Sequence, residues 1–80
     1  MKELLLYSGI YDFVAEDIIN KINESAGEEI VLRLNTPGGS VLAGWGIIAK
    51  MLEHGNVNVK IDGGAMSMGA LIVAFANNVE

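Results

Sequence analysis

Eighty residues confine the chain to one small domain, short for a parallel α/β fold. A hydrophobic content of 51% excludes a disordered segment, and a net charge of −5 with no basic cluster argues against a nucleic-acid partner. With no cysteine there is neither a disulfide framework nor a thiolate metal site, which fits a reducing, cytoplasmic setting.

The start, Met1-Lys2-Glu3-Leu4-Leu5-Leu6-Tyr7, turns polar too quickly for a signal peptide. Its Leu4–Tyr7 run reads as a strand covered on both faces. Ser8-Gly9 ends it, and Asp12 is the expected N-cap of the helix that follows. Val14, Ile18, Ile19 and Ile22 recur at helical spacing, Glu16 and Asp17 suit the positive end of the dipole, and Gly27 is the expected C-cap. Glu29–Asn35 predicts the second strand. Ser40 then caps a second helix reaching about His54, with Leu42, Trp45, Ile48, Met51 and Leu52 as its apolar stripe and Gly55 ending it.

The third strand is predicted from about Val57 to Ile61, followed by a tight turn at Gly63-Gly64 and a buried helix from near Ser67 to Asn77-Asn78. The apolar run Ala65–Ala76 is well short of the roughly 20 residues that span a bilayer, so no membrane partner is expected. The order is βαβαβα, for which parallel strands and right-handed crossovers are the default. Residues 1–80 then form a single α/β unit, with both glycine-rich turns beyond the carboxyl ends of the strands, where ligands bind in such folds.

Two stretches carry candidate chemistry. Gly63-Gly64-Ala65-Met66-Ser67-Met68-Gly69-Ala70 joins a strand to a helix with a serine at the junction. Glycines permit a sharp turn there, and the first helical amides lack intrahelical partners and can face an oxyanion. Read alone, Ser67 fits a plain helix cap at least as well as a nucleophile. Asn35-Thr36-Pro37-Gly38-Gly39-Ser40-Val41-Leu42-Ala43-Gly44 makes a similar junction one βα unit earlier.

Taken together, Pro-Gly-Gly-Ser-Val-x-Ala-Gly and Gly-x-Ala-x-Ser-Met-Gly-Ala resemble the proteolytic subunit family of Clp proteases, including the smaller Clp-like proteases of phages and prophages. The likeness covers nearly the whole chain. It implies the Clp protease/crotonase-like fold, a serine-type endopeptidase activity on polypeptides, and homo-oligomeric rings, with no cofactor or metal. It also implies Ser67 as nucleophile and the backbone amides of Gly39 and Met68 as oxyanion donors. Ser40 is expected to be structural.

The family's histidine and aspartate both follow the serine in sequence, so the chain reads as the N-terminal part of a longer fold, with the next strand due near Val79-Glu80 and two triad residues absent. The one histidine, His54, is expected at the opposite end of strand three from Ser67, about 15–20 Å away, interacting with the C-terminus of its own helix. Lys60 is expected to be solvated, and Asp62 to be an exposed turn residue. Met66 and Met68 are candidate walls for substrate side chains, and Trp45 a core or interface residue.

Three functions remain in contention: the peptidase, a crotonase-like acyl-CoA enzyme holding an oxyanion with the same two amides, and a non-catalytic assembly module. Ser67-Met68-Gly69-Ala70 favours the peptidase, because a crotonase needs no activated serine there. The first strand begins almost at once at Leu4, without the preceding segment of relatives that serve an ATP-driven unfoldase. This argues against such a partner and for the phage head-maturation branch.

Overall fold

The computed structural model describes residues 1–80. Its elements are β1 (Lys2–Leu6), α1 (Asp12–Glu24), β2 (Ile30–Thr36), α2 (Val41–His54), β3 (Val57–Ala65) and α3 (Met68–Ala74). The three strands form a parallel sheet in the order β1-β2-β3. The fold is the α/β arrangement of alternating βα units that the sequence predicts.

Strand order decides which face is covered. Moving from β1 to β2 to β3 always steps the same way, so right-handed crossovers place α1 and α2 on one side of the sheet. Leu4, Leu6, Ile30, Leu32, Leu34, Val57 and Val59 are buried under them, together with Ile18, Ile22, Ile47, Ile48 and Met51 from the helices. The opposite face carries Leu5, 57% exposed, and the partly exposed Arg33 and Lys60, which share one register row. The expectation of a sheet covered on both faces is therefore corrected. Alternate residues of β1 are buried and exposed, as in a half-covered strand.

Helix boundaries depart from expectation in instructive ways. Tyr11, not Asp12, is the N-cap of α1, and Asp12 lies in the first turn, where its charge still faces the positive end of the dipole. Gly27 adopts a φ of +80°, but the helix has ended at Glu24, with Ser25 as C-cap. In α2 the buried residues are Ala43, Gly44, Ile47, Ile48 and Met51, whereas Leu42, Trp45 and Leu52 are exposed. Ile48 and Met51 of the predicted stripe are buried, while the small residues at 43 and 44 bring the rest of that face close to its neighbours and turn Leu42, Trp45 and Leu52 to solvent. Gly55 ends α2 in the left-handed conformation, as its position predicts.

Beyond α3 the chain folds back along β3. Val59 N–H donates to Asn78 O at 2.8 Å, Glu80 N–H to Val59 O at 2.9 Å, and Ile61 N–H to Glu80 O at 3.0 Å. Val59 and Val79 form a parallel bridge there. Residues 78–80 thus run along β3 as a further strand would. No helix is long and apolar enough to cross a membrane.

Candidate active site

The carboxyl end of the sheet is built around a mismatch between β2 and β3. Leu34 pairs with Ile61, but Thr36 pairs with Ala65, so Asn35 alone stands opposite Asp62, Gly63 and Gly64. Gly63-Gly64 is therefore part of a bulged strand rather than the tight turn predicted from its glycines. The Asn35 side chain lies against the bulge: its Oδ1 accepts a hydrogen bond from Gly64 N–H at 3.1 Å, and a Cβ on Gly63 would lie 2.5 Å from that oxygen.

The turn itself comes at Ala65–Ser67. Met66 N–H donates to Thr36 O at 3.2 Å, and the chain then swings into α3. Ser67 takes φ 53° and ψ −118°, and it is the only residue other than glycine with a positive φ. A non-glycine residue held there costs roughly 1–3 kcal/mol. Although Ser67 occupies the N-cap position, its side chain makes no capping hydrogen bond. Its hydroxyl is exposed rather than absorbed into the helix terminus.

Both sides of the elbow are fixed by close packing. Met68 is only 2% exposed, its side chain lying where any Cβ on Gly44 would sit. A Cβ on Gly69 would come within 2.7 Å of Thr36 Cγ2. Thus α3 is pinned between α2 and the end of β2. Of the two candidate methionine walls, Met68 is core and Met66 is 63% exposed beside the turn.

The second turn lies directly against the first. Thr36, 2% exposed, accepts a hydrogen bond from Gly38 N–H on its Oγ1 at 3.1 Å. Gly38 has φ +102°, and a Cβ there would lie 2.8 Å from Ser67 Cβ and 3.3 Å from Met68 N. Gly39 has φ +154° and forms a parallel bridge with Ile10. Ile10 N–H donates to Gly38 O and Ser40 N–H to Ile10 O, both at 2.8 Å. That alternation turns the Gly39 N–H away from Ile10, and it has no hydrogen-bond partner in the chain. Met68 begins α3, so its amide has no intrahelical acceptor. Ser67, Met68 and the Pro37–Gly39 turn are thereby brought to one place, at the carboxyl edge of the sheet.

Ser40 behaves as predicted, accepting a hydrogen bond from Ala43 N–H at 3.2 Å. His54 is at the other end of the sheet. Its Nε2–H donates to Ser25 O at 2.8 Å and its Nδ1 accepts from Asn56 N–H at 3.2 Å, an arrangement that the neutral ring with its proton on Nε2 satisfies. The expected interaction with its own helix C-terminus is replaced by a link to the C-cap of α1.

Asp62 also needs correcting. It lies within β3, and its carboxylate receives Arg33 Nε at 2.7 Å and Arg33 Nη2 at 2.8 Å, with Tyr7 Oη donating to Oδ2. The Arg33 hydrogen bonds, followed by that of Tyr7, hold its pKa down to about 2. The same contact, through the Asp62 carboxylate, raises the Tyr7 phenol above its usual range. Sequence reasoning missed this network because residues 7, 33 and 62 meet only through register across three strands. Lys60 forms no ion pair.

None of the four surface cavities is lined by Ser67, Gly39 or Met68, so the elbow stands on an open surface. No cluster of three or more His, Cys, Asp or Glu side chains is placed to share a metal ion.

No curated protein matches the chain at a significant level. The model of the family described as Clp protease matches residues 1–80, the whole of the chain. That match agrees with the two joined glycine turns and the βα alternation beneath them, and the chain belongs to the Clp protease family of peptidases.

Proposed function

We propose that this chain is the nucleophile-bearing part of a serine-type endopeptidase acting on polypeptides. Ser67 is the nucleophile, and the Gly39 and Met68 amides receive the oxyanion of the tetrahedral intermediate. The observation that carries this reading is the Ser67 conformation: φ 53°, no capping bond, and an exposed side chain against a second turn with an unpaired amide. A serine serving only as helix cap would adopt the relaxed backbone of Ser40 and bond a helical amide. A strained strand-to-helix turn is one way that hydrolases expose a serine Oγ.

The hydroxyl also needs a base. The one histidine has both ring nitrogens engaged at the far end of the sheet. The histidine and aspartate of the triad therefore come from outside these 80 residues, and the 80 residues alone are inactive. Oxyanion donors and binding without a triad give only about 10³-fold over water, too little to matter for an amide bond. Self-association supplies the enclosed walls that the open elbow lacks.

A fluorophosphonate probe, which reports an activated serine, tests the reading. Ser67 is expected to stay unlabelled in the 80-residue chain and to be labelled once the chain is extended through a downstream histidine and aspartate. Labelling of the extended chain that persists in its Ser67→Ala variant, or an active extended chain that is not labelled at Ser67, would remove Ser67 from the mechanism. Rapid labelling of the short chain, abolished by His54→Ala, would overturn the placement of the base.

A further inference from the structure

We infer that Asn35 is a positioning residue for Ser67: its carboxamide acts as a wedge that sets the β3 bulge and thereby holds the serine in its positive-φ conformation. The inference rests on the reading of Ser67 as nucleophile for its functional meaning, but its geometry stands separately.

Three observations carry it. First, β3 has two more residues than β2 between their last two pairs, and Asn35 is the only residue opposite the surplus. A surplus of this size bends the strand and leaves backbone groups without ladder partners. Second, Asn35 Oδ1 takes over as the acceptor for Gly64 N–H, at 3.1 Å. A side-chain oxygen here replaces a backbone carbonyl that the register shift has moved out of reach. Third, Gly63 has no Cβ, and one would lie 2.5 Å from Asn35 Oδ1 and 2.9 Å from its Cγ. The carboxamide occupies the place a side chain would take, so glycine and asparagine are fitted to each other.

The neighbouring residue extends the hold. Thr36 receives Met66 N–H on its carbonyl and Gly38 N–H on its hydroxyl, so it ties Met66 and Gly38 to the end of β2. Asn35 fixes how far β3 advances before that tie, and Thr36 fixes where it lands. Only Ala65 and Met66 separate Gly64 from Ser67, too few to absorb a change in the bulge without rotating the serine. Loss of the wedge lets β3 slip toward regular pairing, and Ser67 relaxes to negative φ.

Solution NMR on the 80-residue chain tests this without any need for activity. Positive φ at Ser67 gives a strong intraresidue HN–Hα cross-peak, and the Gly64 amide reports its hydrogen bond through exchange. Asn35→Ala is expected to weaken the cross-peak and speed Gly64 exchange by about tenfold or more, with resonances of α1 unmoved. Asn35→Asp retains the acceptor and is expected to leave both readouts close to those of the parent. Gly63→Ala is expected to reproduce the Asn35→Ala spectrum by expelling the carboxamide, and to do further harm only weakly when Asn35 is already alanine. If Asn35→Ala does not fold, Asn35→Asp and Gly63→Ala decide the matter by the same two signals. An unchanged Ser67 cross-peak in Asn35→Ala or Gly63→Ala, or an Asn35→Asp chain as disturbed as Asn35→Ala, overturns the inference. Failure of the probe to label Ser67 in an extended chain would instead strike at the nucleophile reading, leaving the wedge intact.

Discussion

Two turns leave the same edge of the sheet, each carrying a serine into a helix, and they solve the junction in opposite ways. At β2–α2, Ser40 has φ −65° and ψ 128°, and its hydroxyl bonds the Ala43 amide. The sharp change of direction is delegated to Gly38 and Gly39, which tolerate positive φ. At β3–α3 the glycines at 63 and 64 are spent on the bulge, and the sharp change falls on Ser67 itself. The first turn places its strain on residues that bear it at no cost. The second places strain on a residue with a hydroxyl and leaves that hydroxyl unbonded. Local stability favours the first arrangement, so the second needs a reason beyond folding, and the nucleophile role proposed for Ser67 would supply one.

The largest expected effect lies in the relaxed turn. Gly39→Ala would drive a methyl into the Ile10 backbone at a φ of +154°, so the bridge to Ile10 must open. A loss of about 3 kcal/mol or more is expected from clash and backbone strain together. Urea denaturation of the variant measures it. A loss under about 1 kcal/mol would show that this turn is not locked against Ile10.

Smaller effects of opposite sign should separate the two serines. Ser40→Ala removes a cap and is expected to cost about 1 kcal/mol. Ser67→Gly relieves the positive φ, with part of the gain offset by glycine entropy in the unfolded chain, for a net stabilisation of about 1 kcal/mol. Ser67→Ala keeps the strain and loses no hydrogen bond, so it should fall near the parent. These are thermal or urea midpoints on three single variants. If Ser67→Gly destabilises as Ser40→Ala does, the contrast between the turns collapses and Ser67 is an ordinary cap.

How much of this was legible beforehand follows from the range of each interaction. The Ser40 cap, the Gly55 end of α2 and the alternation of elements rest on contacts within a few residues, and the sequence carries them openly. The meeting of Gly38 with Ser67 followed from parallel topology, which puts both turns on one edge. What stayed hidden depended on register. Gly63-Gly64 looks like a turn until Asn35 is seen opposite it, and Asp62 looks like an unpartnered turn residue until three strands align Tyr7, Arg33 and Asp62. The exposed face of α2 was misread for another reason. Leu42, Trp45 and Leu52 form a helical stripe as regular as the buried one, and hydrophobicity alone ranks them above the small Ala43 and Gly44 that pack inside. Trp45 instead meets Phe75 edge-on, with ring centroids 5.8 Å apart.

The smallest expected effect concerns acid, and it sharpens the same comparison. Asp62 immediately precedes the bulge, and Arg33 and Tyr7 clamp its carboxylate from the neighbouring strands. In the folded chain its pKa lies at about 2, against 3.8 for a free aspartate. Between those values the unfolded chain binds a proton that the folded chain refuses, so stability falls as pH drops through this window. Above it the carboxylate is ionised in both states, and its contribution is complete and constant. Other carboxylates titrate in the same range, so the informative quantity is the difference between the parent and Asp62→Asn. Urea midpoints should differ by a fixed amount above about pH 5 and converge toward about pH 2. The window is narrow and the network borders solvent, so the difference should be modest and should shrink in high salt. NMR can place the effect in space. Acid should weaken the Ser67 cross-peak of positive φ while leaving the Ala43 amide, held by Ser40, unchanged. Parallel stability curves for the two chains, or simultaneous loosening of both turns, would show that the clamp at Asp62 has no separate hold on the strained turn.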